Sequence, residues 1–431
     1  MRCWIVNANV WDDGLGRLVP KHVLVEGDRI ADVVDGSASV DVGGCEVFDA
    51  RGRLLSAGFV DLHAHLREPG QEYKETIATA TAAAACGGFT TVAAMPNTRP
   101  PVDSPELVRD VLSRAARSGV VRVMTYACIT RRQEGRELTD FAALKEVGAI
   151  GFTDDGFGVQ DAALMKEAMR RAAALDLPIV AHCEDRSLAA GGVVADGEFA
   201  RRFGLPVIPN EAEAVHIARD VVLAEATGVH YHVCHVSTET SVRLIRDAKR
   251  AGIRVTAEVC PHHLVLSEED IPGPDADWKM NPPLRSRRDV EACVRGLEDG
   301  TIDFIATDHA PHSPEEKAKG MREAPFGIVG FETAFPLLYT RFVLTGRWTL
   351  GFLLSRLSTA PASAFGLGQG RLEPGYPADL TLIDLDVERT VDPGRFRSKG
   401  RNTPFAGWAL RGWPVWTMVA GRVVWSEDSG P

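Results

Sequence analysis

The run FVDLHAHLREPG, Phe59 to Gly70, places Asp61, His63, His65 and Arg67 at alternate positions. Alternate residues of a strand share a face, so His63 and His65 project together, with Asp61 below them and Arg67 two residues beyond. Further along, apolar runs end in Asp154-Asp155, His182, His235 and Asp308. Four histidines with two aspartates make up the nitrogen and oxygen donor set of zinc or a similar divalent ion. That many donors could hold two ions with a shared bridge, an arrangement suited to hydrolysis by metal-activated water. A lone buried histidine is more often a hydrogen-bonded core residue than a ligand, so no single one of these argues for a metal. Five strand ends that agree do argue for it. Spacing does not choose between Asp154 and Asp155, and Asp61 reads as at most an outer support.

Arg67 can offer a planar two-pronged fork to a carboxylate, the plainer alternative being a surface salt bridge. His230 and His232 lie nearer the start of their run and read as core. His262 and His263 follow the seventh run without a spacing that forces a role. His22 and His216 read as structural.

These residues need a frame that brings strand ends together. Eight short apolar runs alternate with Ala-, Leu- and Arg-rich stretches: GFVDLHAH, FTTVAAMP, VRVMTYACI, AIGFTDD, LPIVAHCED, VHYHVCHVS, IRVTAEVCP and IDFIATDHAP. Eight βα units over roughly 300 residues predict an α/β fold of the (β/α)8 TIM-barrel type, whose site lies at the C-terminal ends of its strands. A doubly wound sheet fits less well, because no G-x-G-x-x-G follows the first run. Strand-like alternation at both ends of the chain, as in CWIVNANVW and ADLTLIDLD, predicts that the termini join in a small β-sandwich domain. The expected division is 1–55 and 366–431 for the small domain and 56–365 for the barrel. The charged segment PHSPEEKAKGMREAPFG, beside the proposed site, reads as a mobile loop over the mouth.

Composition narrows the partners. With 48 Lys and Arg against 59 Asp and Glu, a net charge of −11 and no long basic run, a nucleic-acid partner is not expected. An anionic small substrate would need its own local cation. The eight cysteines are scattered with no C-x-x-C pair and read as buried thiols of a reducing cytoplasm. No leader-like or membrane-spanning stretch stands out, so a cytoplasmic protein without a membrane partner is expected.

DLHAHLREPG with KET, MPNT, GFTDDG, AHCED, CHVST, EVCPHHL, KMNPPLR and ATDHAPH together resemble the dihydroorotases of the bacterial single-function kind, within the amidohydrolase superfamily. The resemblance runs from about Gly58 to Gly330, with further likeness in PADLTLID and GRVVW. It implies a binuclear zinc enzyme, two Zn2+ per subunit, that interconverts dihydroorotate and N-carbamoyl-L-aspartate in pyrimidine biosynthesis. It further implies that His63 and His65 hold one zinc, His182 and His235 the other, and that Asp155 bridges them. Asp308 would bind the first zinc and act as the catalytic acid and base. His65, Arg67, Asn97 and His312 would meet the substrate, with Asn281 and the Phe326-Gly327 backbone at the ring. Many amidohydrolases bridge their metals with a carboxylated lysine, and hydantoinases resemble this family closely. No lysine stands in GAIGFTDDGFG, which favours dihydroorotase over a hydantoinase or allantoinase. A silent barrel that scaffolds aspartate transcarbamoylase is the alternative of another class, but no ligand is missing here. A homo-oligomer is expected, and a complex of the active enzyme with aspartate transcarbamoylase is left open.

Overall fold

The computed structural model describes residues 2–427. Eight strands follow one another in the order of the eight apolar runs: β1 (Phe59–Ala64), β2 (Phe89–Ala94), β3 (Arg122–Ala127), β4 (Ala149–Phe152), β5 (Ile179–Ala181), β6 (Tyr231–Val233), β7 (Val255–Val259) and β8 (Phe304–Ile305). Each pairs in parallel with the next to form one continuous sheet. The ring closes beyond β8, where Ala64 and His309 form a parallel bridge and the His65 N–H donates to the His309 carbonyl at 2.9 Å. Every residue of β1 and β2 is buried, as parallel strands covered on both faces require.

The surrounding helices start where the sequence offers caps. Ser104, Asp161, Thr238 and Ser286 accept backbone N–H groups at the starts of Pro105–Ser118, Ala162–Ala174, Glu239–Arg250 and Arg287–Glu298. Their apolar stripes pack on the strands in a large core that includes Phe89, Phe152, Met169, Ile217 and Ile245. A second buried cluster joins Val60, Leu62, Tyr126, Val180 and Phe304 with Ala362 and the adjoining Phe365. Phe365 lies edge-on to His230, His232 and Phe304, which stops the end of the barrel opposite the strand C-termini.

Both termini contribute to one further sheet. Its strand order is Arg422–Ser426, Ala409–Val419, Leu380–Thr390, Leu54–Ala57, Arg2–Asp12, Arg17–Glu26 and Arg29–Asp35, with Glu46–Asp49 also paired to Arg2–Asp12. The antiparallel register Leu380↔Ala57 through Ile383↔Leu54 is the seam between the two ends of the chain. This sheet has its own core around Ile5, Val23, Val25, Leu55, Leu380 and Met418. The cysteine expectation needs correcting. All eight are free thiols, but Cys45 and Cys86 are only partly buried, Cys45 because the turn before Glu46 lies at the surface. Among the described residues no helix is long and apolar enough to cross a membrane.

Candidate active site

His63 lies within β1, and the other strand-end residues fall one to three positions past their strands, where the backbone turns over the mouth. His235 and Asp308 pay for this turn with left-handed backbone, at φ +31° and +49°, and Arg67 does so at +64°. For residues with a Cβ such conformations cost of order 1–3 kcal/mol each, a strain that clusters at functional sites.

The six donors converge. His63 Nε2 is 3.5 Å from Asp155 Oδ1 and 3.5 Å from Asp308 Oδ1, and His65 Nε2 is 3.0 Å from Asp308 Oδ1. On the other side His182 Nδ1 and His235 Nε2 are 3.0 Å apart, with Asp155 Oδ1 3.9 Å from His182 Nδ1. Asp155 Oδ2 faces His65 Nε2 at 3.6 Å, so the two oxygens of this carboxylate address different histidines. Asp154, its neighbour, turns away and accepts the Thr130 N–H and hydroxyl. The structure therefore separates the two aspartates that spacing left equivalent.

His63, His65 and Asp308 form one group of donor atoms within 4.8 Å of one another, and His63, Asp155 and His235 form another. His63 Nε2 and His235 Nδ1 are buried without a hydrogen-bond partner. An orphaned His63 Nε2 between the Asp155 and Asp308 carboxylates fits a divalent cation, which would satisfy all three. Burial works against a charge on His63, but Glu258, and further Cys234 and Asp308, push its pKa well up, so the cluster favours positive charge at this point. Burial alone would raise the Asp155 carboxyl, but the neighbouring His63, with the charges of His65 and His182, holds it far below the usual carboxylate range. Burial, with the charges of His182 and His63, pushes His235 well down, so its ring is neutral as a ligand must be.

A carboxylate not singled out in the sequence supports this cluster. Glu258, in the middle of the VTAEV run of β7, places Oε1 2.5 Å from His63 Nδ1 and Oε2 3.1 Å from His232 Nε2. Burial works against its charge, yet the neighbouring charge of His63 and the bonds to His232 and His63 bring its pKa to about 2. It fixes the ring of His63 and presents Nε2 to the mouth. A charged residue inside an otherwise apolar strand was the available signal. His232 is thus part of the support under the site and stacks on Phe304, while His230 Nε2 meets Thr256 Oγ1 at 2.7 Å. Asp61 accepts the N–H groups of His63 and Thr307 and the Thr307 hydroxyl, which ties β1 to the residue before Asp308.

The remaining candidates lie around the cluster. Asn97 bridges His65 Nδ1 at 2.9 Å and Asp155 Oδ2 at 3.0 Å. Asn281 Nδ2 donates to Glu184 at 2.9 Å and lies 3.5 Å from His182 Nε2. The Arg67 Nε–H donates to the Pro311 carbonyl at 3.2 Å, and among the described residues no carboxylate pairs with this buried guanidinium. Burial lowers its pKa to about 10, so it remains charged at neutral pH. His312 Nδ1 faces Lys74 Nζ at 3.3 Å and Nε2 faces the Phe326 carbonyl at 2.7 Å. Nε2 also lies 3.2 Å from Arg67 Nη2, so each ring nitrogen of His312 faces a cation. Burial and then the charge of Arg67 lower the His312 pKa to about 3, which keeps it neutral. Gly327 has φ +128°, and a Cβ there would lie 2.6 Å from that of Ala310, so only glycine lets the loop come this close.

The segment expected as a mobile loop is folded and tied down, with helical turns at Pro314–Lys317 and Gly320–Glu323. Glu316 takes Lys74 Nζ at 3.0 Å and the Tyr73 hydroxyl at 3.1 Å. The buried ammonium groups of Lys317 and Lys279 donate to the carbonyls of Gly327 and Ala324. His263 Nε2 meets the Pro282 carbonyl, while His22 and His216 bond within their own surroundings, at Asn7 N–H and the Glu184 carbonyl.

Comparison with known proteins adds an independent line. A family model described as dihydro-orotase-like matches residues 52–241. A dihydroorotase of Geobacillus thermodenitrificans (strain NG80-2) is 60% identical over 427 residues, which is 99% of each chain. One of Geobacillus sp. (strain WCH70) is 65% identical over 382 residues, 89% of this chain and 90% of the other. Among solved structures, the L-hydantoinase (dihydropyrimidinase) of Arthrobacter aurescens superposes with a TM-score of 0.86 at 27% identity, over 98% of this chain and 95% of its own.

Proposed function

The chain belongs to the dihydroorotase family, and from that premise we propose that it reversibly interconverts dihydroorotate and N-carbamoyl-L-aspartate in pyrimidine biosynthesis, with two zinc ions per chain. The observation that carries the substrate assignment is Arg67, a buried cation without a carboxylate partner among the described residues, beside a cluster of six metal donors. The substrate's carboxylate would complete that charge, and the fork of Arg67 suits its planar shape. Hydantoinase-type hydrolysis is the competing reading, favoured by the fold likeness at 27% identity. It would leave the Arg67 charge buried and uncompensated, and the stretch 148–158 holds no lysine to be carboxylated.

In this reading His63, His65 and Asp308 would hold one zinc and His182 and His235 the other, with Asp155 available to both. The bound ions would supply a Lewis acid for the scissile carbonyl and a water acidic enough to attack at neutral pH. The chain's own residues do the rest. Arg67, with Asn97 and His312 beside it, orients the carboxylate and so turns the ring amide toward Asp308. Asn281 and the Phe326-Gly327 backbone meet the ring. Asp308 takes the proton of the attacking water on a carboxylate oxygen and passes it to the departing ring nitrogen. One carboxylate serves both transfers because they are sequential. In the reverse direction it accepts the proton of the attacking carbamoyl nitrogen. Glu258, through His63, and Asp61, through Thr307, keep the donors aimed during this cycle.

The division into a barrel of residues 56–365 and a small domain of 1–55 and 366–431, a homo-oligomeric state and a cytoplasmic location belong to the same proposal. Metal analysis of the purified protein tests its core, with about two zinc per chain expected. Full activity in metal-free protein would end it.

A further inference from the structure

The segment Arg397 to Thr403, which leads into the Ala409–Val419 strand of the terminal sheet, lies against the barrel mouth. It is anchored in three places. The Arg397 and Ser398 N–H groups donate to buried Glu332 at 2.9 and 3.3 Å. The Ser398 hydroxyl and the Lys399 N–H donate to buried Glu75. Gly400 then passes so close to the barrel that a Cβ would lie 2.7 Å from Pro311 Cβ and from Val329 Cγ1. Asn402, only 3% exposed, is the third anchor. Its Nδ2 donates to the Ala310 carbonyl at 3.0 Å and to the Gly327 carbonyl at 2.9 Å, while its Oδ1 accepts the His312 N–H at 3.2 Å. Its own carbonyl accepts the Val329 N–H at 2.9 Å.

One amide group thus joins the two segments that flank Arg67 on the carboxylate side of the mouth. The first carries Pro311, whose carbonyl holds Arg67 Nε, and His312. The second carries Phe326, whose carbonyl holds His312 Nε2. We propose that Asn402 is a positioning residue for the substrate carboxylate: it sets the spacing of the His312 and Phe326-Gly327 segments and thereby where Arg67 meets the anion. The proposal rests on the dihydroorotase reading and deepens its specificity. Only an amide supplies two donors and one acceptor in a plane at this point. Aspartate would keep the acceptor but set a carboxylate oxygen against two carbonyls. None of the contacts of Asn402 reaches a metal donor, so its influence falls on substrate binding.

The test uses Asn402→Asp and Ser398→Ala in the full chain, loaded with zinc. For Asn402→Asp the KM values of dihydroorotate and N-carbamoyl-L-aspartate rise about tenfold or more, because buried groups lose their partners. For Ser398→Ala, which removes one anchor, they rise about threefold. Zinc per chain stays at the wild-type level and kcat changes little in both. A purely structural role would instead lower kcat, zinc content and thermal stability at constant KM. Unchanged KM in Asn402→Asp, or in Ser398→Ala alone should Asn402→Asp not fold, overturns the proposal. Absence of dihydroorotate turnover in the zinc-loaded wild type would sink the functional reading itself, a result distinct from either.

Discussion

The two sides of the barrel mouth are built differently. On the donor side, His63, His65, Asp155, His182, His235 and Asp308 ride on strand ends or within three residues of them, and buried Glu258 and Asp61 brace them from below. On the carboxylate side, Arg67 and His312 sit in loops held by Lys74, Glu316 and, from the far end of the chain, Asn402. The first arrangement holds its groups with the stiffness of the sheet. The second holds Arg67 and His312 on loops that other parts of the protein must hold still. On the proposed function, chemistry and specificity are therefore separable, and substitutions on the two sides should differ in kind.

The largest effect is expected on the donor side. Asp308→Asn keeps the shape of the side chain but cannot accept a proton, so kcat should fall about 10²–10⁴-fold in both directions. Steady-state assays with metal analysis would check this, and near-normal turnover would remove Asp308 from the proton-transfer role. Glu258→Gln should come next, weakening zinc affinity about 10–100-fold through the aim of His63. Competition with a chelator reads that directly, and wild-type affinity would mean that Glu258 only fills space. On the carboxylate side, Arg67→Lys keeps the charge and loses the fork, so KM for dihydroorotate should rise roughly tenfold with zinc content unchanged. A drop in zinc content without a change in KM would show that the two sides are not independent.

The same contrast governs what could be read from the sequence. The donor residues were legible because strands repeat every two residues and five of the eight runs carry a histidine or aspartate near their ends, so the barrel and the cluster could be inferred together. The choice of Asp155 over Asp154 depended on the resemblance, since two adjacent residues at a strand end differ only in which way the chain turns. Glu258 was missed because one carboxylate within VTAEV carries no spacing signal, although its cost of burial was a clue. Lys74, Glu316 and Asn402 were not legible at all. Their partners lie as many as 243 residues away in the pair Tyr73 to Glu316, and such contacts follow from loop paths that local pattern does not encode. The helical turns of the charged segment were hidden for the same reason. A charged stretch with proline and glycine looks solvated until the carbonyls that capture Lys279 and Lys317 are in place.

The most direct test of this account is the kcat/KM of the zinc-loaded protein for dihydroorotate against dihydrouracil, the same ring without the carboxylate. A site that buries an unpaired guanidinium should prefer dihydroorotate by about 10² or more, because the smaller ring leaves that charge uncompensated. Equal or better turnover of dihydrouracil would contradict the assignment of Arg67 and, with it, the division of the mouth into a chemical side and a specificity side.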